Sequence, residues 1–332
     1  MHDFLTEGLQ KLLQDECTPH LVRAIEAGEP AGTLWSKIEV SGFADALLPE
    51  SAGGAGLALG EVYPLLELCG TFAVPVPLAH TMLARALLAQ ADVERPLGSI
   101  TIAAGVPGGS GGVRCTEVAF GRVADWVLTS AEDAAVLLPV HQALGARGVF
   151  PLDAALEWSE ASVAQSVRVP GRYDLQVHHA CATAAQIAGA LASVLARSLQ
   201  YANDRQQFGR PIGKFQAIQH QLSVLAEHTF AARMAAQIGC QSETCTPERL
   251  RVAVAKARTS EAALEAASIA HSVHGALGFT AEFDLQLHTR RLYAWRGAAG
   301  SESYWHMVLG DELVNRREGL ALDLIRATTD SH

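Results

Sequence analysis

The second half of the chain is the strongest constraint on the fold. Ile187, Leu191, Val194, Leu195 and Leu199 fall on one face of a helix, and Ile218, Leu222 and Leu225 on one face of another. Such stripes are stable only when buried against other helices. Thr246 followed by Pro247 reads as the cap and first residue of a third helix, and a fourth follows Gly300. Four long helices with short links over 173–332 predict an antiparallel four-helix bundle. The abundance of alanine favours helix throughout, because alanine loses almost no side-chain entropy there.

Two further regions precede the bundle. Over 1–95 the helical period recurs, as in Leu5, Leu9, Leu12 and Leu13, and again in Val62, Leu65, Leu66 and Cys69. LPESAGGAGL (Leu48 to Leu57) interrupts it as a loop. Over 96–172 short β-rich runs, SITIAA, VRCTEVAF, DWVLTS, AAVLLPV and RGVFPL, alternate with Gly, Pro and polar turns and predict a small β domain. GVPGGSGG (Gly105 to Gly112) reads as a flexible connection and matches no nucleotide-binding glycine pattern. The expected class is mainly α with a small β domain.

With 332 residues, 49% of them hydrophobic and 18% charged, the chain can bury a large core. A formal charge of -10 and the lack of a Lys/Arg cluster exclude nucleic acid as the main partner, yet leave room for an anionic small ligand held by a few arginines. Six scattered cysteines form neither a CxxC nor a Cys/His metal pattern, so no metal is expected. The acidic amino terminus does not read as a signal peptide, and no run of roughly 18 uninterrupted apolar residues suggests a membrane span. A cytoplasmic protein is the resulting expectation.

The most specific stretch is YANDRQQFGRPIGKFQAIQHQLSVLAE (Tyr201 to Glu227). Gly209 and Pro211 stop one helix near Arg205, and Phe215 opens the next. This run closely resembles the arginine corner of the acyl-CoA dehydrogenases. HSVHGALGF (His271 to Phe279), GAAGSESYW (Gly297 to Trp305) and LPESAGGAGL are similar to three further motifs of that family. The resemblance implies the family fold: a helical amino-terminal domain, a reduced middle β domain and a carboxy-terminal four-helix bundle. It implies FAD as cofactor. Arg205 takes the place of the arginine that reaches the FAD pyrophosphate of a neighbouring subunit, with Gln207 and Phe208 beside it and Ile212, Phe215 and Ile218 at the adenine end. Ser272, His274, Gly275 and Ala276 take the places where the backbone approaches the diphosphate. Gly300, Ser301 and Ser303 take those at the flavin ring. Arginine suits an anionic diphosphate because its planar fork stays charged and binds two oxygens at once.

The same resemblance exposes a gap. Members of the family draw their catalytic base from a glutamate in one of two places, and here these hold Ala299 and His179. Ala299 cannot take a proton. Imidazole can, so His179 is the candidate for a displaced base, although a histidine at a helix start is ordinarily solvated or capping. Glu302 is a weaker candidate. The two motifs that enclose the isoalloxazine ring are not recognisable over 96–172. These absences resemble the short, degenerate chains of heteromeric (α2β2) acyl-CoA dehydrogenases of steroid side-chain degradation. That implies a heterotetramer whose homologous partner brings the catalytic glutamate, an acyl-CoA thioester as substrate, a steroid side-chain CoA ester among the candidates, and an electron-transfer flavoprotein as acceptor. Two alternatives stay open: a self-sufficient homo-oligomeric enzyme using His179, and a non-catalytic scaffold or regulatory paralogue without flavin.

Overall fold

A computed structural model describes residues 2–131, 134–316 and 321–329; the parts of the expectations above that fall on the other positions lie outside the described residues. The chain divides into two compact units. The first comprises Met1–Leu66, Val74–Ala182 and Ser242–Pro247, and the second comprises Glu67–Ala73, Thr183–Gln241 and Glu248–His332.

In the first unit, helices α1 (His2–Glu16), α2 (Pro19–Ala27), α3 (Gly32–Ser41), α4 (Leu59–Thr71, continuing into the second unit) and α5 (Leu78–Gln90) realise the expected periodicity. Local chemistry sets their ends. Thr18 caps α2 by accepting from the Leu21 amide, Pro19 follows at the first helical position, and Gly28 closes the helix at φ 117°. LPESAGGAGL is a loop as expected. A Cβ on Gly54 would stand 2.2 Å from the Leu48 carbonyl, so only glycine lets the chain fold back there.

Two four-stranded sheets form the β portion. The strands are β1 (Ile100–Ile102), β2 (Val106–Pro107), β3 (Val113–Val118), β4 (Trp126–Ala131), β5 (Ala134–Pro139), β6 (Leu144–Arg147), β7 (Ala154–Trp158) and β8 (Val167–Val169), with the short helix α6 (Glu160–Ala164) before the last. The sheet orders are β1-β4-β5-β8 and β2-β3-β7-β6. Val113, Cys115 and, past an irregularity in the register, Val118 of β3 turn inward to meet Leu156 and Trp158 of β7 and Val127, Val136 and Leu138 of the other sheet. Trp158 is 1% exposed and its indole N–H donates to the Pro139 carbonyl at 2.8 Å, so the large ring is buried with its polar atom satisfied.

Two expectations need correction. RGVFPL is not a strand: β6 ends at Arg147, and the chain turns where the Gly148 amide donates to the Asp153 carbonyl at 2.9 Å, ahead of β7. GVPGGSGG is not a loose connection but a hairpin, β2 pairing antiparallel with β3. The Glu157 carboxylate holds it, accepting from the Gly109 amide at 3.2 Å, and a Cβ on Gly112 would stand 2.2 Å from the Trp158 carbonyl. Glycine is used there for close approach.

The second unit is helical: α7 (Leu175–Asp204, beginning in the first unit), α8 (Gln216–Gly239), α9 (Arg249–His274), α10 (Leu285–Gly297), α11 (Glu302–Asp311) and α12 (Ala321–Thr329), with a two-strand ribbon of β9 (Gln206–Gln207) and β10 (Arg210–Pro211) between α7 and α8. Among the described residues, the long helices α7, α8 and α9 of the expected bundle are joined by the shorter α10, α11 and α12. The charged residues of LQLHTRRLYAWRG mask the apolar stripe of α10, although Leu285, Leu287, Leu292 and Trp295 are buried. Helix α9 is central, with Ala253, Ala257, Ala262, Ala263, Ala266, Ala267 and Ala270 buried around it, which is where the alanine content goes. Its start also differs from the expectation. Glu248, not Thr246, caps it, taking the Leu250 and Arg251 amides at 3.1 and 3.0 Å, while Thr246 accepts a hydrogen bond from Gln90. Helix α7 has the length and hydropathy to cross a membrane, and 83% of its most apolar window is buried within the protein, so its apolarity is that of a core helix.

Candidate functional site

The arginine corner is built by a reversal just past α7. Gln207 pairs with Arg210 and Gln206 with Pro211, and the two residues between, Phe208 and Gly209, have φ of 53° and 77°. Positive φ at both is what a tight two-residue hairpin requires. Glycine adopts it freely; phenylalanine does so at a cost of about 1 kcal/mol. The Phe208 ring is nevertheless 92% exposed, meeting Phe215 edge-on at 6.0 Å, while the Arg210 guanidinium lies 4.3 Å over Phe215. Ile212, Phe215 and Ile218 are half-buried. Arg205 and Gln207 are exposed, and among the described residues no carboxylate pairs with the Arg205 guanidinium. Nor does it bond the last carbonyls of α7, the ordinary structural use of such an arginine.

The second motif lies beside this corner. Tyr201 of α7 stacks on His274 at 4.4 Å and donates to its carbonyl at 3.4 Å, and Gln221 of α8 donates to the Ser272 hydroxyl at 2.9 Å. His274 is buried, its Nδ1–H bonds the Ala270 carbonyl at 2.8 Å, and burial lowers its pKa, so it packs as a neutral ring. Gly275 and Ala276 are exposed. Gly275 has φ 61° and ψ −148°, a glycine-only conformation, and a Cβ there would meet nothing. The backbone is bare toward open space.

The third motif stands elsewhere. Ala299 has φ 57° and Gly300 φ 104°, and Ser301 precedes α11 without a side-chain cap. A Cβ on Gly300 would press to 2.7 Å from the Tyr304 ring and 3.0 Å from the Trp305 nitrogen. The Trp305 indole donates to the Ala299 carbonyl at 3.2 Å, and Ser303 is exposed. This loop is tied to Lys256, near the start of α9, whereas the corner is tied to Ser272 near its end. Sixteen residues of helix separate the two, roughly 24 Å. The candidate cofactor residues therefore form two groups at opposite ends of α9.

No carboxylate stands ready at either base position. Ala299 has only a methyl group. Glu302 is held by Arg296 in a two-pronged ion pair. Burial raises its pKa, but the hydrogen bonds from Arg296 and from its own amide, with the charges of Arg296 and Lys256, outweigh this and hold it low. In the first unit His179 is buried, 6% exposed, as is His178 at 4%, so neither is the solvated or capping histidine expected. His179 lies edge-on to His80 at 4.7 Å. The Thr101 hydroxyl gives its hydrogen to the Ala119 carbonyl at 2.7 Å and so accepts from His80 Nδ1 at 3.0 Å. That fixes the His80 tautomer and turns a bare Nε2 into the interior. Burial, with the neighbouring His179, keeps His80 neutral.

Sequence reasoning missed His80 and Lys256. Lys256 had a signal: its neighbours at helical spacing, Val252, Ala253, Thr259 and Ser260, are all small or apolar and uncharged, which marks an inward face. His80 had none, since its partners come from distant parts of the chain.

Known proteins resemble the chain in sequence and in fold. Residues 177–313 match the model of the acyl-CoA dehydrogenase C-terminal domain. The chain is 29% identical over 294 residues to the acyl-CoA dehydrogenase IpdE2 of Mycolicibacterium smegmatis, covering 88% of this chain and 92% of that one. Its fold is shared with a chain of the ChsE4-ChsE5 complex from Mycobacterium tuberculosis, at a TM-score of 0.81 and 23% identity over 96% of this chain and 98% of that one. A variant of the Tcur3481-Tcur3483 steroid ACAD gives a TM-score of 0.76 and 25% identity over 94% and 98%. The arrangement of helices and sheets, the corner and glycine motifs, and these likenesses place the chain in the acyl-CoA dehydrogenase family, whose members are FAD-binding flavoproteins.

Proposed function

We propose that this chain is one subunit of a heteromeric, FAD-dependent acyl-CoA dehydrogenase, contributing cofactor contacts to active sites whose catalytic glutamate lies on a homologous partner. The observation that carries the reading is a contrast: an exposed Arg205 without an ionic partner among the described residues, and no available carboxylate at positions 299 or 179. Removal of an α-proton from a thioester needs a base. Neither Ala299 nor the arginine-locked Glu302 provides one.

The residues present fit the anionic part of FAD. A guanidinium that no carboxylate neutralises, beside a Gly275 backbone with room for a group from outside, suits a diphosphate. Arg205 would bind its oxygens, Gln207 and Phe208 would flank it, and Ile212, Phe215 and Ile218 would cover the adenine end, with Ser272, His274, Gly275 and Ala276 on the other side. Gly300, Ser301 and Ser303 would meet a ring at the start of α11, where the helix dipole favours negative charge. When bound, FAD supplies the two-electron acceptor for the β-hydride. The separation of the two groups along α9 suits a shared arrangement, in which the corner serves a neighbouring subunit. A similar structure described as a steroid ACAD favours a steroid side-chain CoA ester as substrate class, and an electron-transfer flavoprotein is the proposed acceptor.

The buried His80–His179 pair supports a second reading, in which His179 is itself the base of a self-sufficient enzyme. One experiment separates the two. The chain is purified alone and with its partner, and bound flavin absorbance and thioester oxidation are measured. Activity only in the mixture is expected; full turnover by the single chain, abolished by His179→Ala with flavin retained, overturns the heteromeric reading.

A further inference from the structure

Lys256 has no exposed surface. A buried ammonium is tolerated only when its protons are received by acceptors. Three receive them: the Ser260 hydroxyl at 2.8 Å, the Arg296 carbonyl at 2.9 Å and the Gly300 carbonyl at 3.0 Å. Ser260 directs its own hydrogen to the Arg296 carbonyl at 3.3 Å, so it faces the lysine as an acceptor. Two of the three acceptors bracket Ala299, whose positive φ is unfavourable for any residue with a side chain. We propose that Lys256, as an ammonium, is the positioning residue that clasps the Ala299–Ser301 loop in its strained form, and that loss of its proton releases the loop. The catalytic meaning of this clasp rests on the proposed function above; the clasp itself does not.

The chemistry follows from counting hydrogens. A neutral amine retains two hydrogens and one lone pair. Two partners are carbonyls and the third is a hydroxyl bonded to one of them, so either the lone pair faces a carbonyl or Ser260 gives up the Arg296 carbonyl and turns its hydrogen to the amine. In both cases the clasp keeps three of its four hydrogen bonds, and the left-handed turn at Ala299 loses a restraint.

Three effects set the proton's affinity. Burial pulls the lysine from its ordinary 10.5 down to about 7, the Glu302 carboxylate on α11 raises it, and the Arg296 guanidinium at the end of α10 lowers it. On α8, His228 faces Arg258 instead, and Asp323 and Arg326 of α12 are exposed. The clasp is therefore poised close to neutrality.

Trp305 reports on the loop because its indole bonds the Ala299 carbonyl. The full chain is labelled with 5-fluorotryptophan, and the Trp305 resonance, one of five, is assigned with Trp305→Phe. Over about pH 6 to 9 the Trp305 signal is expected to titrate. In Lys256→Met it should stay at its high-pH position, and in Lys256→Arg at its low-pH position. Glu302→Gln, which keeps the lysine, should move the midpoint down by about half a pH unit or more. A Trp305 signal flat across the range, a titration surviving in Lys256→Met, or a midpoint unmoved by Glu302→Gln overturns the proposal. None of these readings needs flavin, so a failed clasp and a failed cofactor assignment are told apart. In the loaded heteromer, Lys256→Met should flatten the same limb of the pH profile of kcat/KM.

Discussion

The two ends of α9 treat their polar groups in opposite ways. At its carboxyl end, the Arg205 corner and the Gly275 turn are exposed and turned outward, and the positive-φ glycines Gly209 and Gly275 have open space where a side chain would go. Near its amino end, Lys256, Arg296, Glu302 and Trp305 are bonded to one another or to the loop, and Gly300 is pressed between Tyr304 and Trp305. Strain exists at both ends, yet the Lys256 charge is enclosed by three oxygens, whereas Arg205 is exposed with no ionic partner among the described residues. Conformational strain alone thus does not identify a ligand site; strain beside an exposed, unpartnered charge does.

Adding a methyl group tests this contrast most severely. Gly300→Ala should cost roughly 3 kcal/mol, from left-handed strain plus the clash with Tyr304 and Trp305, and Gly209→Ala only about 1 kcal/mol, from strain alone. Equal shifts in urea midpoint would mean that the amino end is not closed. Acid should separate the enclosed region from the exposed corner almost as strongly. His288 on α10 is buried, which with the charges of Arg197 and Arg291 lowers its pKa from 6.5 to about 4 against the opposing effect of the Thr71 and Asp284 carbonyls. Between those values the unfolded chain binds a proton that the folded one refuses, so stability falls as pH drops through this window, by about 3 kcal/mol. His288→Gln should flatten that limb in denaturation curves recorded across it.

The outward end predicts the reverse pattern. Arg205→Ala should leave the urea midpoint within about 0.5 kcal/mol of the parent, because the side chain is exposed and contributes no ion pair among the described residues. It should weaken FAD retention by the heteromer about 10- to 100-fold, the worth of a charge-assisted pair. A destabilised variant with unchanged flavin content would assign Arg205 to structure instead. The smallest expected effect is a gain: Ala299→Gly should raise stability by about 1 kcal/mol through relief of the strain at φ 57°, read as a higher midpoint.

Lysine 256 adds a pH signature of opposite sign to that of His288. The unfolded lysine keeps its proton to about 10.5 and the folded one only to about 7, so global stability should rise with pH between these values. The Trp305 loop should loosen over the lower part of the same range. Local order and global stability would then change in opposite directions.

Much of the corner was legible because it is local. The stop of α7 ahead of Gly209 and Pro211, the start of α8 after Phe215 and the loop at 48–57 follow from residues adjacent in sequence. The strand β7 was hidden because AALEW alternates weakly and carries alanine and glutamate, poor strand formers; it is a strand because β3 and β6 pair on either side. The cap of α9 was misread because Thr246 and Glu248 are both competent, and the hydrogen bond from Gln90, distant in sequence, occupies Thr246.

The sequence alone determined the helical periods, the family motifs and the lack of glutamate at 179 and 299, since these depend on residue identity and spacing. Tertiary structure decided which polar groups are satisfied. Whether Arg205 is unpaired, Glu302 locked, His179 buried against His80 or Lys256 surrounded by three oxygens depends on groups far apart in the chain, because hydrogen bonds and desolvation act through space.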